Sequence, residues 1–109
     1  MRTFVYRFGY CTPAQWAANE AHGWDDESSS AFLVQAQSVE EALAWGDKVA
    51  NAFVAWLFAR DGKVPPTSWS EAEYASWIEE EPAAVFSPES LQELPVVACG
   101  QMPDFTRGK

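Results

Sequence analysis

The sequence predicts an α+β fold: a small three-stranded sheet, antiparallel or mixed, in a split βαβ-like arrangement with one long central helix. Residues 3–10 alternate between aromatic and other side chains, which is the two-residue repeat of a β-strand. Residues 39–60 place apolar side chains at the three- and four-residue spacing of an amphipathic helix. Short apolar segments at 32–36 and 96–100 are typical of two further strands. Two or three short helices are expected to pack, with the long one, mainly on one face of this sheet.

The first strand carries one aromatic face, because side chains alternate along a strand. The residues on that face are Phe4, Tyr6, Phe8 and Tyr10. Four rings on one side are enough to support a helix, or to form an interface with another molecule if no helix covers them. The sequence leaves both alternatives open.

A short helix is predicted directly after the first strand. Thr12 is a capping residue, Pro13 suits the first helical position, and Gln15 completes a capping pattern. This helix is expected to run to about Ala21. Residues 22–30, which are mostly polar, are predicted to form a loop.

The long helix has a clear start and a clear end. Ser38 and Glu41 form a capping box, in which the Ser38 side chain caps the helix and Glu41 reaches back to the Ser38 amide; such a cap contributes about 1 kcal/mol. Asp61 and Gly62 supply the stop. Gly46 lies within the apolar stripe, where glycine costs about 1 kcal/mol relative to alanine. We therefore expect the helix backbone to approach the sheet, or a bulky aromatic ring, closely at this residue.

The C-terminal half is predicted to be more broken. Residues 63–67 form an extended proline-containing linker, and a second capping pattern predicts a helix over 70–81 that ends at Pro82. One or two helical turns are expected over 87–94, before the last strand. Residues 103–109 are predicted to be a flexible tail of a single domain that comprises residues 1–109.

The strand order has two candidate solutions. The preferred one places the first strand in the middle, antiparallel to both neighbours. The alternative is an all-parallel sheet, which requires the short helix to complete a full crossover. If the second and third strands are parallel, the connection through the long helix should be right-handed.

Charge restricts the class of partner. The chain has 16 acidic and 7 basic residues, a net charge of −9. Nucleic acid is a poor partner for such a surface, whereas a basic protein fits it. No apolar run approaches the roughly 20 residues that span a bilayer, and no signal peptide is visible, so we expect a cytoplasmic protein that does not enter membranes.

No pattern indicates catalysis, a cofactor or a metal. The glycine-rich phosphate-binding motifs are missing, and Cys11 and Cys99 belong to no CxxC pair. His22 is the one histidine and has no nucleophile motif to accompany it. The sequence therefore gives no catalytic, cofactor-binding or metal-ligating residue and favours a protein that is not an enzyme.

Exposed tryptophan beside acidic residues is typical of a protein-binding surface. The candidate partner-binding residues are Trp24, Asp25, Asp26, Glu27, Trp69, Glu79 and Glu80. The leading interpretation is a small acidic protein that binds another protein, such as an inhibitor or immunity-type factor for a basic partner. One alternative is a small-molecule-binding or enzymatic domain with an aromatic pocket between sheet and helices, for which Tyr6, Tyr10, Trp16 and Trp45 are the candidate lining. Another is a homodimer formed through an uncovered sheet face or edge.

Overall fold

The computed structural model describes residues 2–64, 68–72, 74–103 and 105. Its elements in chain order are β1 (Arg2–Tyr10), α1 (Pro13–His22), β2 (Ser28–Ala36), α2 (Val39–Arg60), β3 (Ser76–Glu79), α3 (Pro82–Val85), α4 (Pro88–Glu93) and β4 (Val96–Ala98). The predicted α+β class and the predicted long helix over 39–60 are confirmed. The described sheet has four strands instead of three.

The strands lie in the order β3-β1-β2-β4 in one mixed sheet. β1 is antiparallel to both of its neighbours, β2 and β3, and β2 is parallel to β4. The prediction that β1 is interior and antiparallel on both sides is confirmed, but its second neighbour is β3 and not the last strand. The all-parallel alternative is wrong.

The helix predicted over 70–81 is wrong, because residues 76–79 form β3. Trp77 pairs with Arg7 of β1, and Ile78 pairs with Tyr6. The capping pattern that suggested a helix is used in a turn: the backbone carbonyl of Ser68 accepts from the amides of Glu71 and Ala72 at 3.1 Å. Glu73, the second half of the predicted capping pair, lies outside the described residues. Strand pairing with β1 therefore overrides a local helix signal.

Alternation along β1 and β2 occurs as predicted and builds the core beneath α2. Tyr6 and Phe8 are almost completely buried, and Phe32 and Val34 of β2 are buried beside them. α2 covers this face, where Phe53 lies edge-on to Phe8 with ring centroids 6.1 Å apart. The side chains of the core cluster on α2 are Ala42, Val49, Ala50, Val54 and Phe58.

Gly46 permits the closest contact between α2 and the sheet. A Cβ atom at this residue would lie 2.2 Å from Cδ2 of Tyr6. The Tyr6 hydroxyl donates a hydrogen bond to Oδ1 of Asp47 at 2.6 Å, which fixes the ring under the helix. Burial, followed by this hydrogen bond, raises the pKa of Tyr6 far above its usual value. The predicted approach of the helix backbone to a bulky aromatic ring is confirmed.

The predicted starts of α1 and α2 are confirmed, with one change of partner. Oγ1 of Thr12 accepts from the Gln15 amide at 3.1 Å, and Oγ of Ser38 accepts from the Glu41 amide at 3.2 Å. The Glu41 carboxylate reaches the amide of Gln37 at 3.0 Å instead of the Ser38 amide. The cap of α2 therefore extends one residue further back than predicted.

Three other boundaries refine the predictions. Ser28, Ser29 and Ser30 belong to β2 and pair with β1, so the loop before β2 is shorter than expected. Residues 65–67 of the predicted linker lie outside the described residues. Most of the predicted tail does as well, although the ring of Phe105 lies 5.5 Å from that of Phe53.

The chain after α3 reaches the sheet face opposite α2. The guanidinium of Arg7 lies 5.5 Å from the Phe86 ring centroid and 5.0 Å from that of Trp77.

Within the described ranges, no helix combines the length and apolar character needed to cross a membrane.

Candidate binding cavity beside helix α1

A surface cavity with a volume of about 210 Å³ lies between α1, the loop over residues 23–27 and Tyr74. Its acidic lining consists of Glu20, Asp25, Asp26 and Glu27, and its aromatic lining of Trp16, Trp24 and Tyr74. Cys11 and Asn19 complete it. The cavity thus combines aromatic rings with carboxylates and contains no basic side chain.

The outer wall of the cavity is positioned by the C-terminus of α1. Gly23 caps α1 in the left-handed conformation, with φ 68°, a backbone geometry that favours glycine. The amides of Gly23 and Trp24 both donate to the carbonyl of Asn19, the latter at 3.0 Å. The chain therefore turns sharply after α1 and places Trp24 at the mouth of the cavity.

The acidic loop is held in place at one backbone carbonyl. Nδ2 of Asn19 donates to the carbonyl of Asp26 at 2.7 Å, and the Cys11 thiol donates to the same oxygen at 3.4 Å. Nε2 of Gln15 donates to Oδ1 of Asn19 at 2.9 Å, which orients the Asn19 amide. These contacts connect the loop to α1 and to Cys11, the residue that follows β1.

The aromatic lining differs in exposure. Trp24 is 53% exposed and stacks on His22 with ring centroids 4.3 Å apart. Trp16 and Tyr74 are half-buried and pack against the core. Burial, followed by the neighbouring Cys11 thiol and the Glu27 carboxylate, raises the pKa of Tyr74 well above its usual value. Its hydroxyl is protonated at neutral pH, as an ordinary tyrosine hydroxyl is, and can donate a hydrogen bond.

Within the described part of the chain, no carboxylate of the cavity lies within ion-pairing distance of a basic side chain. The two ion pairs among the described residues join Arg7 to Glu79 and Arg60 to Asp61, and neither involves the cavity. Glu27 lies against the backbone of β1, since a Cβ atom on Gly9 would be 2.7 Å from its Oε1. The negative potential of these side chains is thus directed at the cavity and at solvent.

Four of the seven residues predicted to bind a partner line this cavity together: Trp24, Asp25, Asp26 and Glu27. The expectation that Trp69 is exposed is wrong, because it is 5% exposed and belongs to the core cluster. Its Nε1 donates to the carbonyl of Gly9 at 2.8 Å. A buried indole whose N–H has a partner packs as an apolar residue, so Trp69 closes the core instead of forming a surface.

The remaining two candidates lie outside the cavity lining. Glu79 ends β3 and faces Arg7, with 3.0 Å between Oε2 and NH1. The hydrogen bond from Arg7 lowers the pKa of Glu79. Glu80 follows it and is exposed. Both were expected at the C-terminus of a helix, and that expectation is wrong because this segment is the end of a strand.

The sequence did not predict that five other residues belong to the same site. These are Cys11, Trp16, Asn19, Glu20 and Tyr74. One signal was available for Glu20 and Asn19, since both lie in the last turns of a predicted helix that leads into the acidic loop. Trp16 was a candidate for a pocket under the sheet. Tyr6, another candidate for that pocket, is completely buried beneath Gly46.

The acidic side chains do not converge as metal ligands do. Over the described ranges, no three His, Cys, Asp or Glu side chains are grouped so that they could hold one ion. No family model, curated protein or solved structure matches this chain.

Proposed function

We propose that this protein works by binding a basic protein partner, as an inhibitor or immunity-type factor would. The observation that carries the proposal is Trp24, a 53% exposed indole at the mouth of a cavity rimmed by uncompensated carboxylates. An indole in water exposes a large apolar area, and tryptophan is among the residues that dominate interface energies.

Charge supports a basic partner. The net charge of −9 would steer a positively charged protein towards this chain and repel nucleic acid. The four carboxylates around the cavity give that attraction a location beside the exposed indole. Such a surface combines an apolar anchor with charges that select the partner, which is how specific interfaces are commonly organised.

The anchored loop supports binding with little rearrangement. Asn19 and Cys11 hold the carbonyl of Asp26, so the residues between Gly23 and Glu27 do not have to be ordered when a partner docks. Ordering a loop during association weakens affinity, and a preformed loop avoids that cost.

We place the protein in the cytoplasm. Cys11 and Cys99 are both free thiols, which fits a reducing compartment.

The competing proposal is a small-molecule or enzymatic domain that uses aromatic residues as a pocket. Trp16 lining the cavity favours it. The volume of about 210 Å³ opposes it, because pockets for drug-sized ligands and cofactors are roughly 300–1,000 Å³. A metabolite that saturates the cavity while no protein partner binds would favour this alternative.

The test compares two exposed tryptophans. Wild type, Trp24→Ala and Trp77→Ala are tagged and expressed in cells that naturally contain the chain, then purified at low ionic strength for quantitative mass spectrometry. We expect a basic protein to be enriched by wild type and by Trp77→Ala and lost with Trp24→Ala. Trp77 is the matched control because it is 37% exposed and lies on the sheet, outside the cavity lining.

The enriched protein is then purified and its affinity measured by calorimetry. Loss of a central tryptophan anchor costs about 2 kcal/mol or more, so Trp24→Ala should weaken binding roughly 30-fold or more. Higher salt should weaken wild-type binding further. Recovery of no partner at low ionic strength, or equal affinity for Trp24→Ala, would refute the proposal.

A further inference from the structure

We infer that the cavity beside α1 receives one arginine side chain of the partner, an inference that rests on the proposed function. The first reason is size. A volume of about 210 Å³ is below the range of drug-sized ligand sites, so it suits a single side chain or a small cation. The hydrogen bond from Asn19 to the Asp26 carbonyl ties the loop that lines this space to α1.

The second reason is the chemistry of the walls. The rings of Trp16, Trp24 and Tyr74 offer faces that attract a cation, and tryptophan is the strongest of the aromatic residues in this role. The carboxylates of the rim supply acceptors for charged N–H groups. An organic cation satisfies both features at once. A metal ion would use only the carboxylates, and these do not converge on one point among the described residues.

The third reason lies elsewhere in the same molecule. Arg7 lies 5.0 Å from the ring centroid of Trp77 and 5.5 Å from that of Phe86, and it pairs with Glu79 at 3.0 Å. That arrangement combines one guanidinium with two aromatic rings and one carboxylate. The cavity offers the same two kinds of group from its own lining, so the Arg7 cluster is a precedent within this fold for holding a guanidinium with aromatic rings and a carboxylate.

Arginine fits better than lysine for a geometric reason. A guanidinium is planar, stacks on an aromatic face and carries five N–H donors, whereas an ammonium is a compact charge with three donors. The cavity presents flat rings on its wall and several carboxylates on its rim, and the Tyr74 hydroxyl lies among them. A planar cation with many donors can contact all of these groups together.

The experiment uses a small probe instead of the partner, so that the two proposals can fail separately. N-acetyl-arginine-N-methylamide is titrated into the full chain, and the indole N–H resonances of the tryptophans are followed by NMR. We expect saturable shifts of Trp16 and Trp24 with a dissociation constant of about 1 mM. The citrulline compound, which has nearly the same shape and no charge, should produce no saturable shift.

Variants then locate the site. Trp24→Ala should weaken binding about fivefold or more, and Asp25→Asn with Asp26→Asn should do the same without touching the core. The charge-matched control is Glu89→Gln with Glu93→Gln on α4, which should leave binding unchanged. Circular dichroism verifies that each variant is folded. The double Asp variant keeps the inference testable even if Trp24→Ala is unstable.

The outcomes separate the possibilities. Equal affinity for the lysine compound overturns the choice of arginine, and equal affinity for the citrulline compound overturns cation binding. If the arginine compound does not bind while a partner binds through Trp24, this inference is wrong and the proposed function stands. If the compound binds and no partner is ever recovered, the proposed function is wrong and the cation site stands.

Discussion

Replacement of Gly46 by alanine is the sharpest test of how α2 packs on the sheet. On an exposed helix surface this change stabilises, because alanine is about 1 kcal/mol better than glycine in a helix interior. Here the new methyl group would lie 2.2 Å from Cδ2, 2.5 Å from Cε2 and 2.7 Å from Cγ of Tyr6. Carbon atoms cannot approach so closely, so either the ring or the helix must move.

The Tyr6 ring has little freedom to move. It is 0% exposed and packs against Phe32 and Phe8, with ring centroids 4.9 and 5.7 Å away. Its hydroxyl is held by Asp47 at 2.6 Å. Overpacking of this kind costs about 1–3 kcal/mol, and a weakened hydrogen bond to a carboxylate adds up to about 2 kcal/mol. After the gain of about 1 kcal/mol in helix propensity, we expect Gly46→Ala to lower the free energy of unfolding by up to about 4 kcal/mol.

Urea denaturation followed by circular dichroism and by tryptophan fluorescence measures this loss. Ala55→Gly, at an exposed position of the same helix, calibrates the propensity difference and should cost about 1 kcal/mol. Repeating Gly46→Ala in a Tyr6→Leu background removes the ring, so the methyl group should then be neutral or stabilising. A single Gly46→Ala variant that is more stable than wild type by the full propensity difference of about 1 kcal/mol would refute the packing argument.

Two further predictions concern Trp69 and Glu79. Trp69→Phe removes the indole N–H that donates to the buried carbonyl of Gly9 at 2.8 Å. We expect this change to lower the free energy of unfolding, measured by urea denaturation, by about 1–3 kcal/mol. An unchanged denaturation midpoint would contradict this expectation. Glu79 has a lowered pKa because of Arg7, so its stabilising effect is present above the unfolded pKa of about 4.3 and is lost as pH falls through the folded value. The stability advantage of wild type over Glu79→Gln should therefore disappear on acidification below about pH 4.3, and an advantage that grows there would contradict the assignment.

The elements predicted correctly are those that local rules determine. Side-chain alternation defines β1 and β2, and the Ser38 cap with its apolar stripe defines α2. Even the contact at Gly46 could be anticipated, because a glycine that weakens a helix needs a packing reason. Each of these signals depends only on residues within about 20 positions of one another, so it can be recognised from one sequence without knowledge of long-range contacts.

β3 could not be predicted in the same way. It has four residues, and its identity depends on pairing with β1, a contact across about 70 residues of sequence. Locally, the serine and glutamate residues around 68–73 favour a helix start. Pairing with an aromatic strand already held by the core outweighs that preference. The error in strand order follows directly, since β3 occupies the place that was assigned to the last strand.

The sequence predicted four of the nine lining residues as part of a partner-binding surface, and it did not predict the cavity that they form with the other five. Composition identified the acidic loop and Trp24, which are adjacent in sequence. Tyr74 reaches the site through pairing beside β1: the amide of Gly9 donates to the carbonyl of Ala75 at 2.9 Å. Cys11 lines the cavity because it directly follows the last residue of β1. The strand that sequence reasoning missed therefore brings one of the aromatic walls into place.

Gly9 connects the core to the cavity, and it offers a contrast with Gly46. Its carbonyl accepts from Trp69, and its missing side chain leaves room for the Glu27 carboxylate, which a Cβ atom would approach to 2.7 Å. Unlike the Tyr6 ring, this carboxylate is the end of an exposed, flexible side chain that can rotate away. Gly9 itself is buried, but the closest atoms that its Cβ would meet belong to this movable carboxylate. Gly9→Ala should therefore lower the free energy of unfolding by less than the roughly 1 kcal/mol at which the cost of overpacking usually begins.

The same substitution should nevertheless weaken the cavity. Moving the Glu27 carboxylate takes one negative charge from the lining, so the arginine compound should bind less tightly to Gly9→Ala. Glu27→Gln, which removes the charge without adding the methyl group, should weaken binding to a similar extent. Equal weakening in both variants with unchanged stability would assign the effect to charge. A large loss of stability in Gly9→Ala would instead mean that the Glu27 side chain cannot move away from the new methyl group.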